Sequence, residues 1–257
     1  MMLGIYDSGL GGLTALSEAR RLMPDEDFIY FGDTRHLPYG TRSPDAIIGY
    51  SRHAIEFLKN HGAKAVLCAC GTVSTVALDT VKSDFDIPVI GVATPCVKAA
   101  IKATKSGKIA VIGTSATIKS GFFQNEIKKA MPTAQVTAKG CDFFVSIVEN
   151  SLSDNTVITD EATRIYLSEL LECDTVILGC THFPLISEPI RKALPNCVQI
   201  NSGKEGAKAL MSYRSNSKYG KGTTRFYLSD VGGSFPEIAK TIMPSISRDN
   251  IFFDCIY

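Results

Sequence analysis

Two cysteines, Cys70 and Cys180, stand where reactive thiols are expected. Each follows a short apolar run, and small or polar residues come directly after it, Gly-Thr after Cys70 and Thr-His after Cys180. Both positions fit the end of a strand before the start of a helix, where partial positive charge and unpaired N–H donors are found. These features lower the pKa of a thiol from about 8.5 towards neutrality. The pattern therefore predicts two reactive thiols.

Two equivalent thiols suit the inversion of a carbon stereocentre by proton transfer. Such a reaction needs a base on one face of the carbon and an acid on the other, with the roles exchanged in the reverse direction. Asp7 ends the first apolar run and His182 lies two residues after Cys180, so each thiol has a candidate proton partner. An Asp or a His alone is commonly structural, and it is the set of four residues that favours catalysis.

A zinc site is the main alternative use of the same residues. Cys68, Cys70, Cys180 and His182 offer the sulfur and nitrogen ligands of a tetrahedral site. Their CxC and CxH spacings lack the CxxC spacing that is common in zinc sites, so proton transfer is the favoured interpretation.

The whole chain alternates short apolar runs with stretches of helical period, which is typical of an α/β protein with a largely parallel sheet. Ser43 and Pro44 mark the clearest helix start, as a hydroxyl N-cap and a first-turn proline. Ligands of open α/β sheets bind at the carboxyl ends of strands, where both cysteines are expected. The predicted strands are Leu3–Tyr6, Phe28–Phe31, Ala65–Ala69, Pro88–Val92, Ile109–Ile112, Gln135–Ala138, Thr175–Leu178, Val198–Ile200 and Arg225–Leu228.

A weak internal duplication divides the chain into two similar halves. GIYDSGLGG is followed by AVLCACGT in the first half, and IAVIGTSATI is followed by VILGCTH in the second. Asp7 and Cys70 are 63 positions apart, and Thr114 and Cys180 are 66 positions apart. We therefore expect two α/β domains, residues 1–94 with 203–257 and residues 95–202. A pseudo-two-fold between them would make the two cysteines face each other across a cleft.

Composition predicts a soluble protein of the cytoplasm. Hydrophobic residues make up 45% of the 257 residues, and the net charge is +1. Such a charge draws the protein neither to nucleic acid nor to a membrane surface. No apolar run approaches the ~18 to 20 residues of a membrane span, and the first residues lack the features of a secretory signal.

Thiols in the cytoplasm stay reduced, so the eight cysteines predict no disulfide framework. Apart from Cys70 and Cys180, they are interpreted as small core residues. These are Cys68, Cys96, Cys141, Cys173, Cys197 and Cys255.

The glycine-rich turn Gly9-Leu10-Gly11-Gly12 matches neither the dinucleotide-binding pattern nor the P-loop. We expect its backbone N–H groups to approach a small anionic ligand instead.

Taken together, the motifs DSGLGG, GDT followed by PYG, ACGT, VEN and GCTH resemble those of the glutamate racemases, within the aspartate/glutamate racemase superfamily. The resemblance covers essentially the whole chain, in order. It implies two similar three-layer α/β/α domains with the active site between them, and catalysis without pyridoxal phosphate or a metal. It also implies a homodimer that makes D-glutamate for peptidoglycan.

The resemblance assigns a role to each matching position. Cys70 and Cys180 resemble the two proton donors and acceptors, with Asp7 and His182 assisting them. Hydroxyl groups and backbone N–H donors can bind both carboxylates of glutamate without an arginine. The positions that match substrate contacts are Ser8, Tyr39, Gly40, Thr72 and Thr181, with Thr114, Thr117 and Glu149 as further pocket positions.

Gly71 departs from the family, which usually has Asn between the first catalytic Cys and Thr. Loss of one hydrogen bond typically costs about 0.5 to 1.5 kcal/mol, so impaired activity is expected more than abolished activity. Three hypotheses follow for a small-molecule substrate: racemisation of glutamate, racemisation of aspartate or another acidic amino acid, or binding of an amino acid by a catalytically impaired relative.

Overall fold

The computed structural model describes residues 2–214, 221–230, 239–240, 242–243 and 251–253. Each strand that the sequence predicts is present, with ends that differ by at most two residues. The strand Ile251–Phe253 was not predicted, because a run of three residues carries no readable period. The strands are β1 (Met2–Asp7), β2 (Asp27–Gly32), β3 (Ala63–Cys68), β4 (Val89–Gly91), β5 (Lys108–Gly113), β6 (Gln135–Gly140), β7 (Thr175–Leu178), β8 (Val198–Asn201), β9 (Thr224–Leu228) and β10 (Ile251–Phe253).

Helices connect most of these strands. None of the helices in the described part of the chain is long and apolar enough to cross a membrane. The α-helices are α1 (Leu13–Leu22), α2 (Pro44–Asn60), α3 (Gly71–Val76), α4 (Leu78–Val81), α5 (Ala93–Ala103), α6 (Ser115–Lys119), α7 (Phe122–Ala130), α8 (Asp142–Glu149), α9 (Thr156–Leu167), α10 (Ser187–Ala193) and α11 (Ser202–Leu210). Short 3-10 helices span Thr34–His36, Tyr39–Thr41, Lys82–Asp84, Ser168–Leu170, Phe183–Ile186 and Met211–Tyr213.

Within the described residues, the strands form two parallel sheets, and the order of the four strands in the second sheet recurs within the first. The first sheet has the order β10-β9-β2-β1-β3-β4, and the second has the order β6-β5-β7-β8. Every strand pair is parallel. The run β2-β1-β3-β4 thus has its counterpart in β6-β5-β7-β8, so the internal duplication extends to the topology. We call each sheet with its helices the first lobe and the second lobe.

Alternate residues of the central strand of the first lobe face opposite layers of helices. Leu3 and Ile5 of β1 pack in one cluster with Leu16 of α1. Tyr6 points to the other face and shares a cluster with Leu58 of α2. Since successive side chains of a strand point to opposite faces, an apolar run buried on both sides produces three layers.

The second lobe is built in the same way around β5. Ile112 packs with Phe144 of α8 on one face of the sheet. Val111 packs with Phe123 of α7 on the other face. The fold prediction of two three-layer α/β/α domains is therefore confirmed.

We propose that the lobes divide near residues 94–95 and 202–203. Helix α5 starts at the first of these points, and its Val97 packs with Ile109 in the core of the second lobe. Helix α11 starts at the second point, and its Ala207 packs with Leu16 in the core of the first lobe.

Helix α2 shows how local sequence determines an element of the first lobe. Ser43 Oγ accepts a hydrogen bond of 3.3 Å from Ala46 N, and Pro44 occupies the first turn. One glycine, Gly49, lies within this helix, and a Cβ atom built on it meets no atom within 4 Å.

Gly49→Ala is expected to stabilise the protein by about 0.5 to 1 kcal/mol, because alanine loses less backbone entropy in a helix than glycine does. Urea unfolding of the two proteins measures the change in the free energy of unfolding.

Gly206→Ala in α11 is the matched control. A Cβ atom at Gly206 would lie 2.6 Å from Val92 Cγ1 and 3.2 Å from Leu67 Cδ1. Overpacking costs about 1 to 3 kcal/mol, so this variant is expected to be less stable than the wild type. A Gly49→Ala protein no more stable than Gly206→Ala would contradict the packing described for α2.

Candidate active site

Equivalent strands of the two sheets carry the predicted reactive residues. Asp7 ends β1, and Cys70 lies two residues beyond the end of the neighbouring strand β3. In the second lobe, Thr114 directly follows β5, and Cys180 lies two residues beyond the neighbouring strand β7. All four residues therefore lie at carboxyl ends, where α/β sheets bind ligands.

Cys70 and Cys180 line the same cavity, which has a volume of about 180 Å³. Each of the two residues is only 6% exposed. Eight of the other predicted site residues join them in the cavity wall, whereas Asp7, Thr117 and Glu149 do not. The complete wall consists of Ser8, Leu37, Pro38, Tyr39, Gly40, Thr41, Cys70, Gly71, Thr72, Thr114, Asp142, Val145, Ser146, Cys180, Thr181 and His182.

The Cys70 thiol is held in its protonated form. Burial, together with the nearby charge of Asp7, raises the pKa of Cys70 to about 12, although a hydrogen bond from Ser8 opposes the shift. Ser8 Oγ donates this bond over 3.3 Å. Cys70 does form the N-cap of α3, as predicted. The prediction of a lowered pKa is nevertheless wrong for Cys70, because desolvation outweighs the helix start.

Asp7 lies behind the cavity wall and is fully buried. Burial raises the pKa of Asp7, and the positive charge of His182 and the backbone N–H groups of Gly12 and Gly9 oppose that shift. Gly9 N donates to Asp7 Oδ2 over 3.0 Å, and Thr181 Oγ1 donates to Asp7 Oδ1 over 3.4 Å. Two N–H groups of the glycine-rich turn, those of Gly9 and Gly12, therefore stabilise the carboxylate of Asp7.

The Cys180 sulfur has a different partner, an imidazole. His182 Nδ1 lies 3.5 Å from Cys180 Sγ, and His182 Nε2 lies 2.5 Å from Glu149 Oε1. Burial alone would lower the pKa of His182, but its hydrogen bonds with Cys180 and Glu149 outweigh burial and hold that pKa well above the ordinary value. Glu149, which the resemblance put in the pocket, thus lies behind His182 and keeps it charged.

Three threonines join the lobes beside the cavity. Thr72 Oγ1 of the first lobe lies 2.9 Å from Thr114 Oγ1 and 3.4 Å from Thr117 Oγ1, both in the second lobe. Thr114 also caps α6 by accepting a hydrogen bond from Thr117 N. Thr117 is fully buried and supports the other two hydroxyls from behind.

The Tyr39 hydroxyl is already engaged within the protein. It donates to Asp33 Oδ2 over 2.5 Å and lies 2.8 Å from the hydroxyl of Tyr6. Asp33 Oδ1 accepts from Ser229 Oγ over 2.7 Å, at the end of β9. Tyr39, which the resemblance matches to a substrate contact, therefore lines the cavity with its hydroxyl already bonded to Asp33.

The sequence reasoning missed one wall of the cavity, which belongs to α8. Asp142 lies seven positions, Val145 four and Ser146 three before Glu149, so all four share one helix face. The helical period, counted back from Glu149, is the signal that could have found them. The other residues missed are Leu37, Pro38 and Thr41, which lie within or beside the PYG motif.

The zinc alternative has no support from the geometry. Cys68 is fully buried in an apolar cluster of the first lobe and does not line the cavity. Among the described residues, no group of three or more His, Cys, Asp or Glu side chains is arranged to hold a metal ion.

The remaining cysteines largely follow the core interpretation. Cys96, Cys141 and Cys173 are buried and unpaired, whereas Cys197 is half-buried. Cys255 lies outside the described residues.

Known proteins match this chain along almost its entire length. The model of the Asp/Glu/Hydantoin racemase family matches residues 12–210. A glutamate racemase of Persephonella marina is 41% identical over 248 residues, which cover 95% of this chain and 94% of that protein.

Solved structures give the same result. Glutamate racemase isoform RacE1 from Bacillus anthracis matches with a TM-score of 0.89 and 35% identity, over 99% of this chain and 96% of that chain. Glutamate racemase from Francisella tularensis, in complex with D-glutamate, matches with a TM-score of 0.90 and 31% identity, over 99% and 97%. The chain therefore belongs to the Asp/Glu/Hydantoin racemase family.

Proposed function

We propose that this chain is an isomerase that interconverts L- and D-glutamate by moving the α-proton between Cys70 and Cys180. One observation carries the proposal: thiols from two different lobes line one small cavity, and each has its own acid–base partner nearby. The glutamate racemases to which the chain is similar support the choice of substrate.

The reaction consists of two proton transfers on opposite faces of the α-carbon. A cysteine thiolate removes the α-proton and becomes a thiol, which leaves a carbanion stabilised by the adjacent carboxylate. The opposite cysteine gives its thiol proton to the other face and becomes a thiolate. The two cysteines have then exchanged protonation states, and proton exchange with solvent resets them. Because cysteines supply both transfers, the proposed reaction needs no cofactor.

The two thiols have different partners and are assigned different roles. Cys70, with its pKa raised to about 12, is the acid. Cys180 is assigned the role of the base, because the imidazolium of His182 faces Cys180 Sγ and stabilises negative charge that forms there during the reaction. In the reverse direction Cys70 must first lose its proton, and Asp7 is the proposed acceptor because burial raises its pKa.

Neutral donors bind the substrate in this proposal. Of the described residues that line the cavity, none is Arg or Lys. Four residues with hydroxyl side chains, Ser8, Thr72, Thr114 and Thr181, line a small volume that suits a dicarboxylate of the size of glutamate. Hydroxyl and backbone N–H donors can satisfy both carboxylates.

The likeness to glutamate racemases also supports the finer statements about this enzyme. We propose that it supplies D-glutamate for peptidoglycan in the cytoplasm and that it acts as a homodimer. Analytical ultracentrifugation tests the dimer, which a single monomeric species over the working concentration range would refute.

Cys70→Ser and Cys180→Ser are each expected to lower the rate of racemisation by about 10² to 10⁴-fold, the usual contribution of one acid–base group. Each variant keeps the thiol on one face. In D₂O it is therefore expected to exchange the α-proton of one enantiomer, a different one for each variant. Circular dichroism follows racemisation, and proton NMR follows exchange.

Cys197→Ser is the control, because Cys197 is half-buried and is no part of the cavity wall. It is expected to racemise glutamate at the wild-type rate. Full racemisation by either single variant of Cys70 or Cys180 would refute the two-thiol scheme.

The charged state of His182 predicts a dependence of stability on pH. Its folded pKa is raised above the unfolded value of about 6.5, so its stabilisation is fully present below pH ~6.5 and is lost as the pH rises through the folded pKa. Between these values one such group lowers the free energy of unfolding by up to about 1.4 kcal/mol per pH unit. Glu149→Gln removes a cause of the raised pKa and is expected to flatten this decline between about pH 6.5 and 8.5.

Urea unfolding at several pH values measures both slopes. Glu188→Gln is the matched control, since Glu188 pairs only with exposed Arg191 on the surface and should keep the wild-type slope. Equal slopes for wild type and Glu149→Gln would show that Glu149 does not hold His182 in its charged form.

A further inference from the structure

Gly71 lies beside Cys70 at the contact between the two lobes. It follows Cys70 in the first lobe, and it faces Gly179, which precedes Cys180 in the second lobe. A Cβ atom built on Gly71 would lie 1.9 Å from the carbonyl oxygen of Gly179 and 3.0 Å from its carbonyl carbon. Both atoms belong to the backbone, so no side chain at position 71 fits this arrangement.

The carbonyl of Gly179 is not free to move aside by itself. Gly179 N donates to Ile112 O over 2.8 Å, which continues the pairing of β7 with β5. A Cβ atom on Gly179 would in turn lie 2.8 Å from Ile112 O. Because Gly179 is held against its own sheet, room for a side chain at position 71 arises only if the lobes separate.

A second close contact holds the lobes in the same register. A Cβ atom on Gly11 would lie 2.3 Å from Thr181 Oγ1, and Thr14 Oγ1 donates to Thr181 O over 3.1 Å. The residues on both sides of Cys180 are thus packed against glycines of the first lobe. The contacts that set the separation of the lobes therefore involve residues directly next to Cys70 and Cys180.

We propose that Gly71 is a positioning residue that sets the distance between the Cys70 and Cys180 sulfurs. Its lack of a side chain lets the lobes close until both thiols reach one α-carbon. The proposal rests on the proposed racemisation. On this proposal, the glycine that replaces the family's Asn does not signal loss of catalysis. The cavity is built in a different way, with direct backbone contact in place of an amide side chain.

The test compares Gly71→Ala and Gly71→Asn with the wild type. In both variants the new Cβ atom must move from 1.9 Å to about 3.4 Å, an ordinary van der Waals distance, from the carbonyl oxygen of Gly179. This movement opens the lobes by about 1.5 Å. Misplacement of about 1 Å can cost 10²-fold in rate, so both variants are expected to racemise glutamate about 10²-fold more slowly. Gly71→Asn should be no faster than Gly71→Ala, although it restores the amide. Gly49→Ala, a glycine replacement in open space, should keep the wild-type rate.

A ratio of two rates separates positioning from loss of folded protein. In a wider cavity one thiolate still removes the α-proton, but the opposite thiol no longer reaches the carbon. The ratio of α-proton exchange without inversion to racemisation is therefore expected to rise at least 10-fold in D₂O, whatever fraction of the variant is folded. An unchanged ratio, or a Gly71→Asn enzyme as fast as the wild type, would overturn the proposal.

Crystal structures of the wild type and Gly71→Ala test the spacing without any reaction. The distance between the Cα atoms of Cys70 and Cys180 is expected to increase by more than 1 Å, and an unchanged distance would overturn the proposal. If the wild type fails to racemise glutamate, the proposed function fails, and this structural comparison still decides the role of Gly71.

Discussion

Contact between the carboxyl ends of two parallel sheets is the constraint on which the whole site depends. The hydroxyl of Thr72 meets that of Thr114 across the lobes, and Thr181 reaches back to Asp7. Thr72 and Thr181 lie within two positions of Cys70 and Cys180, so a shift of one sheet against the other moves one sulfur relative to the other. Close-packed backbone transmits such shifts without absorbing them.

Duplicated topology does not make the two ends of the cavity equivalent. Each thiol follows the third strand of a run with the order 2-1-3-4. Cys70 nevertheless has the buried carboxyl group of Asp7 near it, whereas Cys180 has the imidazolium of His182, which Glu149 helps to keep charged. Burial acts in opposite directions on acids and bases, so the same depth in the protein raises the pKa of Asp7 and opposes protonation of His182. The hydrogen bonds of His182 with Cys180 and with Glu149, which belongs to a helix outside the repeat motifs, reverse the outcome for His182.

Local patterns predicted most of the fold and the position of the thiols, because strand runs and the cap at Ser43 depend on neighbours in the chain. The pKa of Cys70 was predicted with the wrong sign, since desolvation depends on packing from both lobes that no local pattern contains. No local pattern pairs Glu149 with His182 or Tyr39 with Tyr6, because the two residues of each pair are 33 positions apart. Nor could the sequence show that Gly71 faces a backbone carbonyl of the other lobe.

Asp33 accepts hydrogen bonds from Ser229, which follows β9, and from Tyr39 in the cavity wall. The cavity is therefore connected to a strand that is made after the second lobe. Strand β2 pairs with β1 on one edge and with β9 on the other, so its second edge has no neighbour until β9 has been made. The second sheet, by contrast, is built from one continuous stretch between β5 and β8. On the ribosome, the lobe that begins the chain is therefore the last to be completed, and a nascent chain that has not emerged beyond Ser229 leaves Asp33 without this donor.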